Sequence, residues 1–269
     1  MNRTDPQAGL VLSAIALRKI IGWLGAALPV LCAAYASVPP VDFLPSISDY
    51  YYTRIHALFV GILCILGASM FSYHGYTKAE DGLAKLGGLC AVGTALCPTE
   101  PLYQQSAPVV AQLIGESAKL FAILHGVFAC GLFTIFMVFS AVFFTRTSES
   151  DQNDPLTFSR GFNTLIVTVF GFRANPYFNP ELNPGKRRRN LVYRLSARLI
   201  AFSILAVLIV AVLRAMRVIQ SDPFQQFIFA CETVALWAFA ASWLTKAEQF
   251  SFLKDPPISP SALDANHLP

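Results

Sequence analysis

Charge is what this chain has least of. Lys, Arg, Asp and Glu make up 13% of its 269 residues, against 55% hydrophobic residues, whereas soluble domains carry about 25% charged residues. That scarcity excludes an ordinary soluble domain. Histidine is sparse as well, at 4 residues, and there is no C-x-x-C pair and no Gly-x-Ser-x-Gly elbow. Cysteine is present but sits in the wrong places for a framework: Cys32, Cys64, Cys90, Cys97, Cys130 and Cys231 all lie within or at the end of apolar runs. These absences argue against a disulfide scaffold, a cysteine zinc site and an α/β-hydrolase nucleophile, and leave the cysteines as small apolar packing residues. No cofactor is implied.

What the chain has in quantity is apolar length. Runs over 20–38, 55–73, 83–98, 120–144, 199–213 and 224–244 each approach the roughly 20 residues that cross a hydrocarbon core of about 30 Å. The expected fold is all-α: a polytopic bundle of six transmembrane helices filling one domain over 1–254, with a disordered tail over 255–269. The run at 83–98 is the weakest, because Lys85 stands near its start and Gly87, Gly88 and Gly93 lower its helix propensity. The first run carries a small-residue step, Ala34-Tyr35-Ala36, of the kind signal peptidases cut. The 19 residues before its apolar core are long for a signal peptide, so it is expected to stay as a span.

The basic residues assign the two sides. With the N-terminus inside, Arg3, Arg18, Lys19, Lys78, Lys85, Arg146, Arg160, Arg173, Lys186 to Arg189, Arg194, Arg198, Lys246 and Lys254 all face the cytoplasm. Only Arg54, Lys119, Arg214 and Arg217 of the 20 face outward. That segregation is the positive-inside pattern and requires an even number of crossings, with both termini cytoplasmic. The net charge of +4 therefore reads as topology and gives no reason to expect nucleic acid. A multi-pass protein of the cell membrane, the inner membrane of a bacterium, is the expected setting.

Residues 8–17 are expected to form a short interfacial helix before the first span. The cytoplasmic loop over 145–190 divides in three. The acidic stretch from Ser148 to Asp154 leads into Gly161 to Phe172, whose apolar run is too short to span and suits the membrane interface. Three Asn-Pro steps follow, at Asn175-Pro176, Asn179-Pro180 and Asn183-Pro184, and should make turns, since each proline disfavours helix in the asparagine before it. The cluster Lys186, Arg187, Arg188 and Arg189 then precedes span five. It is a candidate contact for anionic lipid at about 1 kcal/mol per basic residue, beside its plainer role as a topological anchor.

Polar residues of the opposite side converge on one leaflet. The first outer loop carries Asp49, Tyr51 and Arg54, and His56 opens span two at the same level. Cys97-Pro98-Thr99-Glu100 closes span three there, and Glu116 and Lys119 precede span four. His125 lies five residues into span four and Glu232 eight residues into span six, about 8 and 12 Å deep. A carboxylate at that depth costs at least about 2.5 kcal/mol. Glu232 should therefore face the bundle interior and take a partner from His125, His56 or Arg54. The expected ligand site is Asp49, Tyr51, Arg54, His56, His125 and Glu232, with Glu232 and His125 sharing a proton or hydrogen bond and Arg54 meeting an anionic group at the rim. A zinc site from His56, His125 and Asp49 or Glu232 is a second reading, and a Ser48, His56 and Asp49 nucleophile a third. No metal is assigned. A proton-coupled carrier using Glu232 lacks an inverted repeat or paired broken helices to support it.

Leu44-Pro45-Ser46-Ile47-Ser48-Asp49, placed after a first span in a six-span chain, resembles the first outer loop of the Frag/DRAM/Sfk membrane proteins and related bacterial membrane proteins. The resemblance implies lipid handling or membrane organisation, including lipid-anchor remodelling, without an agreed catalytic centre. The combined expectation is an outer-leaflet cavity that binds a lipid head group or small polar ligand. Membrane lipids are the expected partners, with a second copy or another membrane protein as further candidates.

Overall fold

The computed structural model describes residues 6–39, 42–99, 117–146, 157–171, 184–219 and 226–253. The acidic stretch 148–154, the asparagines of the Asn-Pro steps, Glu100, Glu116, Arg173 and the tail over 255–269 lie outside them. Among the described residues every regular element is helical. They are α1 (Pro6–Ala36), a 3-10 turn (Ile47–Tyr52), α2 (His56–Phe71), α3 (Lys78–Leu96), α4 (Ala118–Val138), α5 (Phe158–Phe170), α6 (Pro184–Ala215), α7 (Phe227–Lys246) and a last 3-10 turn (Ser251–Leu253). A π turn over Phe139–Phe143 prolongs α4.

Four helical stretches are long and apolar enough to cross a membrane: Ala14–Ala36, Ala118–Phe143, Pro184–Ala215 and Phe227–Lys246. Their outward faces are apolar: Trp23, Ile123, Val127, Phe202, Leu205 and Val212 are all exposed. Only 22% of the most apolar stretch of α6 is buried. A continuous apolar exterior of this kind is unstable in water and natural in lipid, where the surroundings are as apolar as the side chains. The chain is a multi-pass membrane protein.

Helix boundaries depart from the apolar runs at three places. α1 runs unbroken from Pro6, so residues 8–17 are the first turns of the spanning helix. α6 starts at Pro184, fifteen residues before its apolar stretch. Proline is well suited to a first helical turn because its missing N–H would have no partner there. The basic cluster 186–189 is consequently helical, and the connection before α6 is shorter than expected. α3 starts at Lys78 and takes Glu80, Asp81 and Lys85 into the helix. α2, at 16 residues, is about 24 Å long and α3, at 19, about 28 Å. Neither meets the length and apolarity of the other four.

α2 and α3 form a hairpin tied at its turn. Thr77 caps α3 by accepting from the Glu80 N–H at 3.1 Å. The Glu80 carboxylate accepts from the Tyr73 hydroxyl at 2.5 Å and from the Tyr76 N–H at 3.0 Å. The glycines that lower the propensity of α3 serve contact instead. Gly88 lies against Gly67 of α2 backbone to backbone, and Gly93 receives the Phe128 ring of α4, the small-residue packing that helices use when lipid supplies no hydrophobic drive.

The core between α4, α7 and α2 is aromatic. Phe136 and Phe239 stack with centroids 3.5 Å apart, while Trp243 meets Tyr73, Phe139 and Phe144 at 5.2–5.4 Å. The π turn widens the end of α4 so that all five of its residues are buried. α5 is a separate amphipathic helix. Arg198 of α6 holds its C-terminal end through the Thr168 and Gly171 carbonyls, both at 2.9 Å. Its exposed face repeats Phe158, Phe162, Ile166 and Phe170 at a spacing of four, the arrangement that suits a helix lying at an interface.

Candidate functional site

The first loop is built around a capped turn. Ser46 stands in extended conformation at the N-cap of the turn Ile47–Tyr52. Its hydroxyl accepts from the Ser48 N–H at 3.1 Å, and Asp49 returns a carboxylate oxygen to the Ser46 N–H at 3.1 Å. This reciprocal exchange is a capping box, and Ser46-x-x-Asp49 was its visible sign in the sequence. The turn is buried, not a solvated loop: Tyr50 is fully buried, and Phe43 meets Phe229 edge to face at 4.6 Å.

α7 locks onto this turn by its own N-terminus. The Phe229 N–H, one of the helix's free first-turn donors, bonds the Pro45 carbonyl at 2.8 Å. One turn deeper, Glu232 accepts from the Ile47 N–H at 2.7 Å and places both carboxylate oxygens 2.9 Å from the Ser46 hydroxyl. The partner of Glu232 is thus the first loop. His125, His56 and Arg54 do not take that role, and the expected shared proton between Glu232 and His125 gives way to two bonds from the Ser46–Ile47 corner. A carboxylate can be kept at this depth by fixed donors as well as by a cation.

His125 makes its own pair. Nδ1 lies 2.6 Å from the Cys97 carbonyl and Nε2 2.9 Å from the Ser48 hydroxyl. A carbonyl only accepts, so Nδ1 carries the proton; in the neutral ring Nε2 is then the acceptor for the Ser48 O–H. The serine that pairs with a histidine is the expected Ser48, but its histidine comes from α4 rather than from the same loop. His56 instead points Nδ1 at the Tyr51 carbonyl, 2.7 Å away, and packs against the Tyr51 ring at 4.3 Å. Arg54 is exposed.

Glu232 and His125 line one cavity of about 190 Å³. Its polar end is Ser46, Ser48, His125 and Glu232, and its walls are Ala129, Phe133, Ile204, Val207 and Ala235 from α4, α6 and α7. Thr99 and Ser203 also line it, and their hydroxyl oxygens are buried without a hydrogen-bond partner. Asp49, Tyr51, Arg54 and His56 are not among its lining residues. Asp49 supports the cavity through the capping box, and Tyr51 and His56 pack beside it. Sequence reading could not find Ser203, because a serine in an apolar helix normally bonds its own backbone.

Among the described residues no group of three or more His, Cys, Asp or Glu could hold a metal ion. His56 and His125 take different partners, the Tyr51 carbonyl for one and the Cys97 carbonyl with the Ser48 hydroxyl for the other. At the other end of the bundle, Lys186 bonds the Arg146 carbonyl at 3.2 Å and Arg189 the Leu253 carbonyl at 2.8 Å, with the Arg188 guanidinium 3.5 Å from the Phe252 carbonyl. Part of the basic cluster therefore ties α6 to the residues that follow α4 and α7.

Burial raises the Asp49 carboxyl from its usual 3.8 to about 6, against the lowering effect of the Ser46 N–H. Ionised Asp49 therefore opposes folding. The cost is absent below about pH 4, grows between the two values and is complete above about pH 6, where it reaches about 3 kcal/mol. Asp49→Asn keeps an acceptor for the Ser46 N–H and removes that cost. Thermal unfolding in detergent should show the variant more stable than wild type at pH 8 and equal to it near pH 4.

The fold and the cavity define an all-helical, multi-pass membrane protein with a polar-tipped pocket at one end of its bundle. No protein-family model matches the chain, and neither does any curated protein or solved structure.

Proposed function

We propose that this chain crosses the membrane six times, with both ends in the cytoplasm, and binds the polar end of a lipid in a cavity of the outer leaflet. Four crossings follow from length and apolarity, and the α2–α3 hairpin supplies the other two. The charges in the first turns of α3 lie near the end of the bundle where Arg18 stands 5.6 Å over the Tyr73 ring and Lys246 5.4 Å over Tyr76. Those residues belong to the side rich in positive charge, where an interfacial start to α3 is expected. The inner membrane of a bacterium remains the setting this topology favours.

The observation that carries the binding reading is the cavity's polarity. Serine, histidine and glutamate cluster at one end of otherwise apolar walls, the pattern of a site that orients an amphipathic molecule. The resemblance of Pro45-Ser46-Ile47-Ser48 to the Frag/DRAM/Sfk first loop is in keeping with the same reading. Gly126 provides the test. It lines the cavity, and a Cβ built on it meets nothing within 4 Å. Gly126 is exposed at the cavity's edge, and Gly126→Leu should narrow its mouth without disturbing the helices. Native mass spectrometry of the purified protein should find a bound lipid on wild type, reduced at least tenfold on Gly126→Leu with the thermal midpoint equal to wild type or higher. Equal lipid on both proteins would remove the cavity from the binding reading.

A further inference from the structure

Resting on the cavity as a lipid site, we propose that it is also a reaction site, in which Ser48 is a nucleophile and His125 its general base for the hydrolysis of a carboxylic ester. Three observations converge. Ser48 Oγ is 2.9 Å from His125 Nε2, and the imidazole is oriented from behind by the Cys97 carbonyl at 2.6 Å. This is the nucleophile, base and orienting acceptor sequence of covalent catalysis, with a backbone carbonyl in the third place. Both side chains line the same cavity. The buried, unpartnered hydroxyls of Thr99 and Ser203 line it too, and Ser203 is 3% exposed. An unmatched buried hydroxyl is costly unless a ligand oxygen meets it, and a developing oxyanion is such a group.

The rest of the geometry serves to aim Ser48. Its N–H is held by Ser46 Oγ, and Ser46 is held by Glu232. Glu232 is therefore a positioning residue for Ser48, and the α7 contact with the first loop sets the serine's approach to α4. The cavity volume equals roughly six waters at about 30 Å³ each. That admits an ester group and the first carbons of its chain, and the remainder would extend along the apolar walls.

In the first half-reaction Ser48 Oγ bonds to the ester carbonyl carbon and its proton passes to His125 Nε2. The bond from that carbon to the alcohol oxygen breaks, and Nε2 returns the proton to the departing alkoxide. In the second, water gives its proton to Nε2 and adds to the acyl carbon. The acyl–Ser48 bond breaks, Ser48 recovers the proton and a carboxylic acid leaves. No oxidant or metal enters the balance.

The test uses the full chain in detergent with an alkyl fluorophosphonate, a serine-directed phosphorylating probe. Peptide mass mapping should place the adduct on Ser48 of the wild-type protein. His125→Gln, which keeps a polar side chain but no base, should label at least a hundredfold more slowly, and Ser48→Ala should not label at that peptide. Should Ser48→Ala fail to fold, the site of the wild-type adduct still decides the matter. Folded wild type that carries a lipid but gives no adduct, or an adduct elsewhere, overturns the nucleophile and leaves the binding site standing. Wild type with neither lipid nor adduct overturns both.

Discussion

Replacing Glu232 with alanine is expected to lower the unfolding free energy by about 2–4 kcal/mol. The carboxylate is the acceptor for the Ile47 N–H at 2.7 Å and lies 2.9 Å from the Ser46 hydroxyl, and truncation leaves both donors facing apolar helix. Each stranded buried donor costs about 1–3 kcal/mol, and the smaller coupling energies measured between helices in membranes, about 0.6 kcal/mol on average, set the lower part of the range. Glu232→Gln should lose less than Glu232→Ala, because its carbonyl can still accept from Ile47. The pair Glu232→Ala and Ser46→Ala should fall short of additivity, since they remove the same bond. A denaturant titration in mixed micelles reads wild type and the four variants. Additive losses would mean that the two residues do not meet. A Glu232→Ala protein as stable as wild type would mean that the first loop is not held by α7.

The same residues show what a sequence can and cannot disclose. Apolar run length revealed the membrane class and placed Glu232 and His125 within helices, as α7 and α4 have them. It misjudged helix ends, since α6 continues through a basic cluster that hydropathy treats as loop while Pro184 is well placed to open a helix. Partners were harder still. Opposite charge made His125 the natural mate for Glu232, yet the carboxylate takes a backbone N–H and a serine 185 and 186 residues away. Backbone donors carry no signature in sequence. The Ser-x-x-Asp step at Ser46 is a cap signature that apolar run length passes over, and a cap that exposes one N–H to a passing helix is the kind of feature that only packing completes. Ser48 was legible as a serine that a histidine could meet, but the histidine it meets lies on a helix 77 residues on.

The glycines of the α2–α3 hairpin should separate close packing from low propensity, and Gly88→Leu is expected to have the larger effect. A Cβ at Gly88 stands 2.8 Å from the Gly67 carbonyl oxygen, and a backbone atom cannot rotate away. The helices must part, at a cost of about 1–3 kcal/mol for the methyl group alone and more for the full side chain, which also meets Phe71 at 2.9 Å. At Gly87 the nearest atom is Met70 Cε at 2.5 Å, the end of a flexible side chain, so Gly87→Ala should lose less. At Gly82 nothing lies within 4 Å, and Gly82→Ala should gain about 0.5–1 kcal/mol from backbone entropy. Thermal midpoints in one detergent should therefore order as Gly82→Ala, wild type, Gly87→Ala and Gly88→Leu. If low helix propensity alone governed α3, all three substitutions would stabilise it. A Gly88→Leu protein that melts at or above wild type would show that α2 and α3 do not touch there. The consequence would reach the cavity, because α3 ends at Leu96, immediately before the Cys97 carbonyl that orients His125.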